Sequence, residues 1–524
     1  MRRFALAAIA AIAFVLPAPA QSTDIDGLLA QLPGVVARYD SKSDLGGVIA
    51  LENLTLAKKN GDGSADEANK VFIKHAELTG LDGDAILSIF DANRYGAEAD
   101  QTFKTLVSHL DLKEVSLIVD GKQVISIAGW TVSDWAMKQF WFKPGGADFK
   151  AQFASEKEMA AKIIGNLVDS TKIGPSVATG IHFEFDSSAM AAAMMPPGTP
   201  MPPAAGPAVY DYAEVTGEGV DRGKWGKLTF KGISGTAPMP PMGSMELSLQ
   251  DGYWDGIDVS KVLPFMMKGE VPPTEREGLI SIGASCANNY NVKIPGIGTM
   301  NFPSICTEAV PFVWLIPQHF KADVAGTFTP APAGEFMAPP SIAKHFTGPM
   351  DIGILVETTY DPDAGTGALT HYAIKLGGFG SVDFSVTGGG LELAGLLMLP
   401  ETYQQTLSLN AARVEVVDEG GLQKFLEMGA DMANERAGGQ GTPVTADQLK
   451  QQAKMGLDMA SGMLAGSAEG AALIQAIKDF IDNGGKLTVQ ANPPAPLKAA
   501  DFATLAGKPP AEMLAILGIS AQHE

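Results

Sequence analysis

LSLNAARVEV (Leu407–Val416) and KLTVQA (Lys486–Ala491) are the two stretches of sequence that decide the fold of this chain. In the first, Leu407 and Leu409 alternate with polar residues, and two valines continue the alternation after a slip at two alanines. That is the period of a half-buried β-strand. The second stretch ends at a run of prolines, which remove the hydrogen-bond donors that a strand needs. The sequence therefore predicts two strands of a half-buried sheet.

The residues between these strands show the period of helices. A first helix is predicted from an apolar stripe, a second opens at Thr445 and Gln448, whose spacing is that of a capping box, and a third ends at Asn483-Gly484 with a left-handed cap. The stripe residues are Leu422, Phe425, Leu426 and Met432 in the first helix and Ile474, Ile477 and Ile481 in the third. This block is a helical excursion between two strands.

Most of the remaining chain has the signals of short strands. The clearest is a hairpin over Glu114–Ala128, with Asp120-Gly121 as its tight turn. After it, Ser133 or Asp134 is predicted to cap a helix. We expect an α+β, β-rich fold in which a curved, mainly antiparallel sheet has helices inserted between its strands and a helical excursion near the C-terminus.

The predicted division of the chain follows changes in composition. A segment rich in Ala, Met and Pro breaks the regular pattern after about residue 188 and is a candidate for a mobile loop or a boundary. The parts are a signal peptide at 1–20, an N-terminal β-rich part with helices at 21–188, the Met/Pro-rich loop at 189–208, a central β-meander part at 209–405, and the strand-helices-strand part at 406–524.

Composition excludes some classes of partner. Hydrophobic residues make up 46% and charged residues 19% of the 524 residues, which is typical of a folded chain. The formal net charge is −21, and it becomes −23 if Arg2 and Arg3 leave with the leader. A body this acidic repels phosphate backbones, so nucleic-acid binding is not expected.

The first twenty residues have the features of a secretory signal peptide. Arg2 and Arg3 precede an apolar run that is too short to span a bilayer, and Ala18 and Ala20 provide the small residues that signal peptidase recognises before Gln21. An uncleaved anchor is the alternative. The leader predicts export to the periplasm and no transmembrane span in the mature chain.

Cys286 and Cys306 are the only cysteines. In an oxidising compartment a pair at this separation is expected to form a disulfide. Two buried free thiols are the alternative, and a metal or redox role is the least favoured reading because zinc requires four ligands.

No catalytic signature stands out. The seven histidines show no metal-binding spacing, so neither a metal nor another cofactor is expected. Ser341 and Lys344 match the S-x-x-K motif of penicillin-recognising enzymes, but the companion motifs are absent or out of order. Asp361–Gly365 resembles the start of a calcium loop and is better explained as a polar hairpin turn.

Two Pro-rich loops are unusually rich in methionine. Thioethers are suited to Cu(I), but neither loop has a nearby His or Cys. The loops are either adaptable apolar connections or pliable lips that touch an apolar ligand or a membrane. The residues considered for such contacts are Met194, Met195, Met201, Met239 and Met242.

The leader, the many short strands and the closing segment Asn492–Leu497 together resemble AsmA-like and YdgA-like envelope proteins of Gram-negative bacteria. The similarity is best over Thr406–Ile519, with weaker echoes at Lys113–Trp135 and Lys227–Leu249. It implies a curved antiparallel sheet with an apolar concave face and a role in lipid traffic or outer-membrane upkeep. This chain departs from those families in its cleavable leader and its shorter length.

Ile118 and Ile125 place apolar side chains on both faces of the predicted hairpin. The hypothesis is therefore a non-enzymatic periplasmic protein that holds an apolar ligand, a lipid above all, in a β-rich groove. The alternatives are a structural or interaction protein of the envelope that binds a protein partner, and a hydrolase with an unrecognised site.

Overall fold

The structure is a computed structural model that divides the chain into two compact units. The N-terminal unit comprises residues 1–273 and 279–285, and the C-terminal unit residues 274–278 and 286–524. The residues described are 25–30, 34–89, 101–140, 156–186, 206–239, 243–268, 270–273, 277–332, 334–335, 337–392, 406–438, 442–464, 467–505 and 507–524.

The N-terminal unit is built mainly from strands. Its strands are β1 (Val35–Arg38), β2 (Ser41–Leu45), β3 (Val48–Lys59), β4 (Ala65–Thr79), β5 (Lys104–Val119), β6 (Lys122–Met137), β7 (Thr171–Ile173), β8 (Ser176–Asp186), β9 (Pro207–Gly217), β10 (Val220–Asp221), β11 (Lys224–Trp225), β12 (Leu228–Met239), β13 (Gly243–Trp254), β14 (Ile257–Asp258) and β15 (Ser281–Ile282). Its described helices are α1 (Ile25–Ala30), α2 (Gly83–Ile89), α3 (Glu156–Asp169) and α4 (Leu263–Lys268).

The long strands of this unit pair with their neighbours in the order β3, β4, β5, β6, β8, β9, β12 and β13, and every pairing is antiparallel. The predicted hairpin is confirmed as β5 and β6. Asp120 and Gly121 form its turn with φ values of 52° and 75°, the two positive values that a type I′ turn requires.

The helix predicted from Ser133 is wrong. β6 continues to Met137, with Ser133 opposite His109 and Trp135 opposite Val107 on β5. The β-branched residues Thr131 and Val132 favour an extended backbone, and pairing along β5 outweighs the local capping signal.

The C-terminal unit also combines strands and helices. Its strands are β16 (Ser285–Ile294), β17 (Gly298–Thr307), β18 (Phe312–Val313), β19 (Ile316–Pro317), β20 (His319–Pro330), β21 (Met350–Asp361), β22 (Thr366–Leu376), β23 (Gly380–Gly389), β24 (Ser408–Asp418), β25 (Gly485–Ala491), β26 (Leu497–Lys498) and β27 (Ile519–His523). Its described helices are α5 (Pro340–Ala343), α6 (Gly421–Arg436), α7 (Ala446–Met463), α8 (Ala468–Asn483), α9 (Phe502–Leu505) and α10 (Pro510–Leu517), with a 3₁₀ turn at Ala499–Asp501.

The strand-helices-strand block predicted around Leu407 is confirmed. β24 is followed by α6, α7 and α8, and β25 returns antiparallel to β24. The Thr445 side chain accepts a hydrogen bond from the Gln448 amide, and the Gln448 side chain bonds back to Thr445, so the capping box is present. Gly484 does end α8, but its φ of 67° and ψ of −141° lie outside the predicted left-handed region, in a region that only glycine adopts readily.

Four residues with positive φ lie in a single row across the N-terminal sheet. They are Asn53 on β3, Glu114 on β5, Gly180 on β8 and Gly232 on β12, with φ values of 52°, 50°, 58° and 58°. The strand registers place these residues opposite one another through the intervening strands β4, β6 and β9. The sheet therefore carries a row of kinks that runs perpendicular to its strands.

We expect Gly180→Ala to destabilise this row. At φ +58° a side chain is strained by about 1–2 kcal/mol, and the new Cβ would lie 2.7 Å from the Cβ of Ala128. The measurement is the urea midpoint of the variant. Gly61→Ala is the control, since Gly61 has open space around it, and an equal loss in both variants would contradict the expectation.

The predicted loop at 189–208 joins two neighbouring strands. β8 and β9 flank it and pair directly, so the sheet continues across this point. Most of the loop lies outside the described residues, as do the signal peptide and its cleavage site at Ala18, Ala20 and Gln21. The finer division of the chain stays a prediction.

Cys286 on β16 and Cys306 on β17 are joined by a disulfide in the structure. The bond closes a loop of 20 residues, for which chain-entropy arguments give about 3 kcal/mol of stabilisation. We expect the denatured, unreduced protein to show no reactive thiol and the Cys286→Ser/Cys306→Ser variant to unfold at a lower urea concentration. Two titratable thiols in the unreduced protein would contradict this.

Candidate functional site: an apolar cavity in the N-terminal unit

An apolar cavity of about 290 Å³ lies inside the N-terminal unit. Its described wall is formed by α1, by strands β3 to β6 and by the segment that contains α2. Each of the described lining residues is an alanine, valine, isoleucine, leucine or tryptophan. Leu51, Ile73 and Ala76 are at most 1% exposed. The indole nitrogen of Trp135 is buried and has no hydrogen-bond partner among the described residues. None of the described residues that line the cavity has an ionisable side chain.

The row of kinks determines which side chains reach this cavity. In a regular strand, residues two apart share a face. At the row of kinks, four strands depart from this rule. On each of them, one lining residue lies on either side of the row, and the two are three positions apart in sequence. The pairs are Leu51 and Leu54 on β3, Ile73 and Ala76 on β4, Leu112 and Val115 on β5, and Ile127 and Trp130 on β6. The kinks let apolar residues on both sides of the row face the same cavity.

Helix α1 closes one side of the cavity. Ile25 and Leu28 point into the wall and are 4% and 6% exposed. Asp26, on the same helix, lies 2.7 Å from the ammonium of Lys42 and accepts a hydrogen bond from the Tyr39 hydroxyl. An ion pair at its outer face therefore fixes the apolar face of this short helix against the sheet.

Helix α2 contributes to the same wall. The Asp82 carboxylate accepts a hydrogen bond from the Ala85 amide at 2.8 Å, which satisfies a donor in the first turn. Ile86 lines the cavity, and Ile89 packs into a second cluster with Leu106 and Phe140.

Charged side chains accompany the same strands outside the cavity. His75 on β4 lies 2.7 Å from Glu52 on β3, and Lys74 pairs with Glu114 on β5. Lys70 and Arg38 both pair with Glu67 and hold the pKa of its carboxyl below the usual range. The sheet separates a charged surface from an apolar interior, and the interior is the side that can take a ligand.

Of the five methionines that the sequence suggested as apolar contacts, the structure describes only Met239. Met239 is part of β12, opposite Gly243 on β13, and is not among the residues that line the cavity. Met194, Met195, Met201 and Met242 lie outside the described residues. Of the two isoleucines that motivated the groove hypothesis, Ile125 lines the cavity and Ile118 does not.

The S-x-x-K motif does not form a serine–lysine pair. The Lys344 ammonium lies 2.7 Å from the Asp431 carboxylate, and His345 Nε2 lies 2.8 Å from the same group. Hydrogen bonds from these two side chains, that from Lys344 above all, hold the pKa of Asp431 below its usual value. The Ser341 hydroxyl is buried, and no described side chain forms the hydrogen bond through which a base would activate it.

Asp361 caps a hairpin turn between β21 and β22, as predicted. Its carboxylate accepts hydrogen bonds from the amides of Asp363 and Ala364 at 2.8 and 3.1 Å. Within the described ranges, no three His, Cys, Asp or Glu side chains are placed to hold a metal ion together.

A family model described as an uncharacterized protein matches residues 373–524, all of them in the C-terminal unit. No protein with a curated description matches the chain. None of the helices in the described part of the chain has the length and hydrophobicity needed to cross a bilayer.

Proposed function

We propose that this protein is an exported, non-enzymatic protein of the cell envelope that binds an apolar ligand, a lipid in our interpretation, and serves envelope maintenance or lipid traffic. The observation that carries the proposal is the cavity of about 290 Å³, whose described lining residues are all apolar. The sequence pattern of this chain, which resembles that of AsmA-like and YdgA-like proteins, also supports the proposal.

The size and chemistry of the cavity suit a hydrocarbon chain. An apolar cavity of roughly 150 Å³ stays dry and binds benzene, so one of about 290 Å³ accommodates roughly twelve carbon atoms. Burying hydrocarbon stabilises a complex by about 25 cal/mol per Å² of apolar area. Because none of the described lining residues is ionisable, the cavity suits the hydrocarbon chain of an amphiphile and offers no partner to a charged head group.

A binding experiment tests this proposal. The full-length protein, first stripped of bound material with organic solvent and refolded, is titrated with the apolar dye N-phenyl-1-naphthylamine and then with dodecanoic acid. We expect dye fluorescence to rise with saturation and dodecanoic acid to displace the dye. A protein that is folded by circular dichroism but takes up neither compound would contradict the proposal.

Export is the second part of the proposal. The leader pattern and the disulfide support it, because disulfides persist in oxidising compartments. Expressed with its leader in a Gram-negative host, the protein is expected in the periplasmic fraction with Gln21 as its first residue by mass spectrometry. A full-length mass in the cytoplasm would contradict export.

A further inference from the structure

Strand β27 forms an edge of the sheet in the C-terminal unit. It pairs with β25 on one side, and no described strand pairs with its other side. Just before β27, the Gly518 carbonyl accepts a hydrogen bond from the Asn492 amide at 3.1 Å. Just after it, Glu524 exchanges two backbone hydrogen bonds with Lys486, at 2.8 and 2.9 Å. These bonds fix which residues of β27 are bonded to β25.

The remaining backbone groups of β27 point to the open side. In an antiparallel ladder, hydrogen-bonded pairs recur at every second residue, so the even-numbered residues from 518 to 524 bond to β25. The residues that face outward are Ile519, Ala521 and His523. Their N–H donors and C=O acceptors make no hydrogen bond to a described residue. Such a row of donors and acceptors is a template for an added strand, and a lipid chain does not match it.

The sequence of β27 has none of the features that protect an open edge. Natural sheets block such edges with lysines, prolines, bulges or inward-pointing charges. This strand reads Ile-Ser-Ala-Gln-His and pairs with β25 without a register shift. The imidazole of His523 packs against Phe480 of α8, and its Nε2 lies 2.7 Å from the Gly484 carbonyl oxygen. This ring is therefore held on the face of the sheet that α8 covers.

The strand is able to pair with a second copy of itself. When Ala521 lies opposite the partner's Ala521 in an antiparallel arrangement, Ile519 lies opposite the partner's His523. All three outward-facing residues then belong to hydrogen-bonded pairs, with two bonds in each pair. A shift of the register by two residues in either direction leaves one of the three without a partner. The arrangement centred on Ala521 is therefore the one that uses every outward-facing group.

The side chains that this arrangement brings together are compatible. Ser520 lies opposite the partner's Gln522, and both side chains form hydrogen bonds. The nearest charged residue is Glu524, which lies opposite the partner's Gly518 and is already paired with Lys486 at 2.8 Å. No like charges face each other across the edge, although the whole chain carries a formal charge of −21.

We propose that two copies of this protein pair through the open edges of β27 and form one continuous sheet across a twofold axis. A strand of another protein would meet the same donors and acceptors. The second copy is favoured because β27 itself specifies it, through a self-complementary register and the absence of facing like charges. The proposal concerns the C-terminal unit and does not depend on the cavity in the N-terminal unit.

Sedimentation velocity of the full-length protein over a wide range of concentration tests this proposal. We expect the wild type to shift from monomer to dimer as the concentration rises. Ala521→Pro removes an N–H that points to the open side and leaves the bonds to β25 in place, so the edge tolerates it. We expect the dissociation constant of its dimer to rise more than about tenfold, because the central pair loses its hydrogen bonds. Ala521→Ser keeps this N–H and is expected to dimerise like the wild type.

Cysteine crosslinking tests the register. The Cα atoms of a hydrogen-bonded antiparallel pair lie about 5.5 Å apart, within the range that a disulfide spans. The two native cysteines are joined to each other, so neither competes for an introduced thiol. We expect mild oxidation of Ala521→Cys to give a covalent dimer on a non-reducing gel. Gln522→Cys is the control, because its two copies are offset by two residues along the strands and lie too far apart.

Three results would overturn the proposal. They are a wild type that stays monomeric at every concentration, a dimer that Ala521→Pro leaves unchanged, and equal crosslinking of the two cysteine variants. The first would leave the edge to a strand of another protein, the second would place the interface elsewhere, and the third would show random collision. If circular dichroism shows that Ala521→Pro does not fold, the wild type and the cysteine variants decide the outcome. Binding of the apolar dye is expected to be the same in every folded variant.

Discussion

Ala76→Phe is expected to abolish binding of apolar ligands, and no other single change proposed for this chain has a larger functional effect. Ala76 is 1% exposed and lines the cavity from β4, so a phenylalanine ring there occupies the space that the ligand needs. We expect the affinity for N-phenyl-1-naphthylamine to fall more than about tenfold, since more than 1.4 kcal/mol of burial is lost. Filling a buried site in this way costs about 1–3 kcal/mol of stability, so circular dichroism of the variant accompanies the binding measurement.

Leu112→Met is the matched control for this variant. Leu112 lines the same cavity, and exchanging leucine for methionine nearly conserves volume. It is expected to bind the dye with an affinity close to that of the wild type. Unchanged dye binding by a folded Ala76→Phe variant would show that the dye binds elsewhere.

Ile73→Ala is expected to produce the largest loss of stability. Ile73 is fully buried in the wall of the cavity, and truncation of such a residue costs about 2–5 kcal/mol through lost transfer energy and the enlarged void. Urea denaturation followed by tryptophan fluorescence measures the effect. Because the variant cavity is larger, we also expect dodecanoic acid to raise its urea midpoint.

Ile164→Ala serves as the comparison. Ile164 lies on α3, is 56% exposed and occupies a helical position where alanine is favoured, so its unfolding free energy should change by less than about 0.5 kcal/mol. If Ile73→Ala were as mild as this control, the cavity wall would not be part of a packed core.

The C-terminal block could be predicted well because its signals are local. The alternation on either side of Ala411-Ala412, the Thr445–Gln448 capping box and the prolines after Ala491 each act within a few residues. In the structure β24 forms with a register shift between Leu409 and Ala411, the capping box is present, and β25 ends at Ala491. The Asp120-Gly121 hairpin was predictable for the same reason.

The helix predicted at Ser133 failed because a nonlocal interaction decided the outcome. Pairing of Ser133 and Trp135 with residues of β5 overrides a capping signal that involves only nearby residues. No local pattern in this segment reports the presence of a partner strand.

The cavity was harder to predict from sequence than the strands around it. Its lining residues change from a spacing of two to a spacing of three at the row of kinks, which makes each strand look irregular when it is read alone. The signal that could have revealed the cavity is the repeated spacing of three between apolar residues, at Leu51–Leu54 and again at Leu112–Val115. Recognising it requires the register of neighbouring strands, which the sequence does not give directly.

Mass spectrometry of an organic extract is the most direct test of whether an apolar interior is the working part of this protein. The mature protein is purified without detergent from the periplasm of a Gram-negative host, and its extract is compared with that of the Ala76→Phe variant. We expect a lipid or another apolar compound in stoichiometric amount with the wild type and a much smaller amount with the variant. An extract that contains no apolar compound, from a protein that afterwards takes up no dodecanoic acid, would contradict the proposed function.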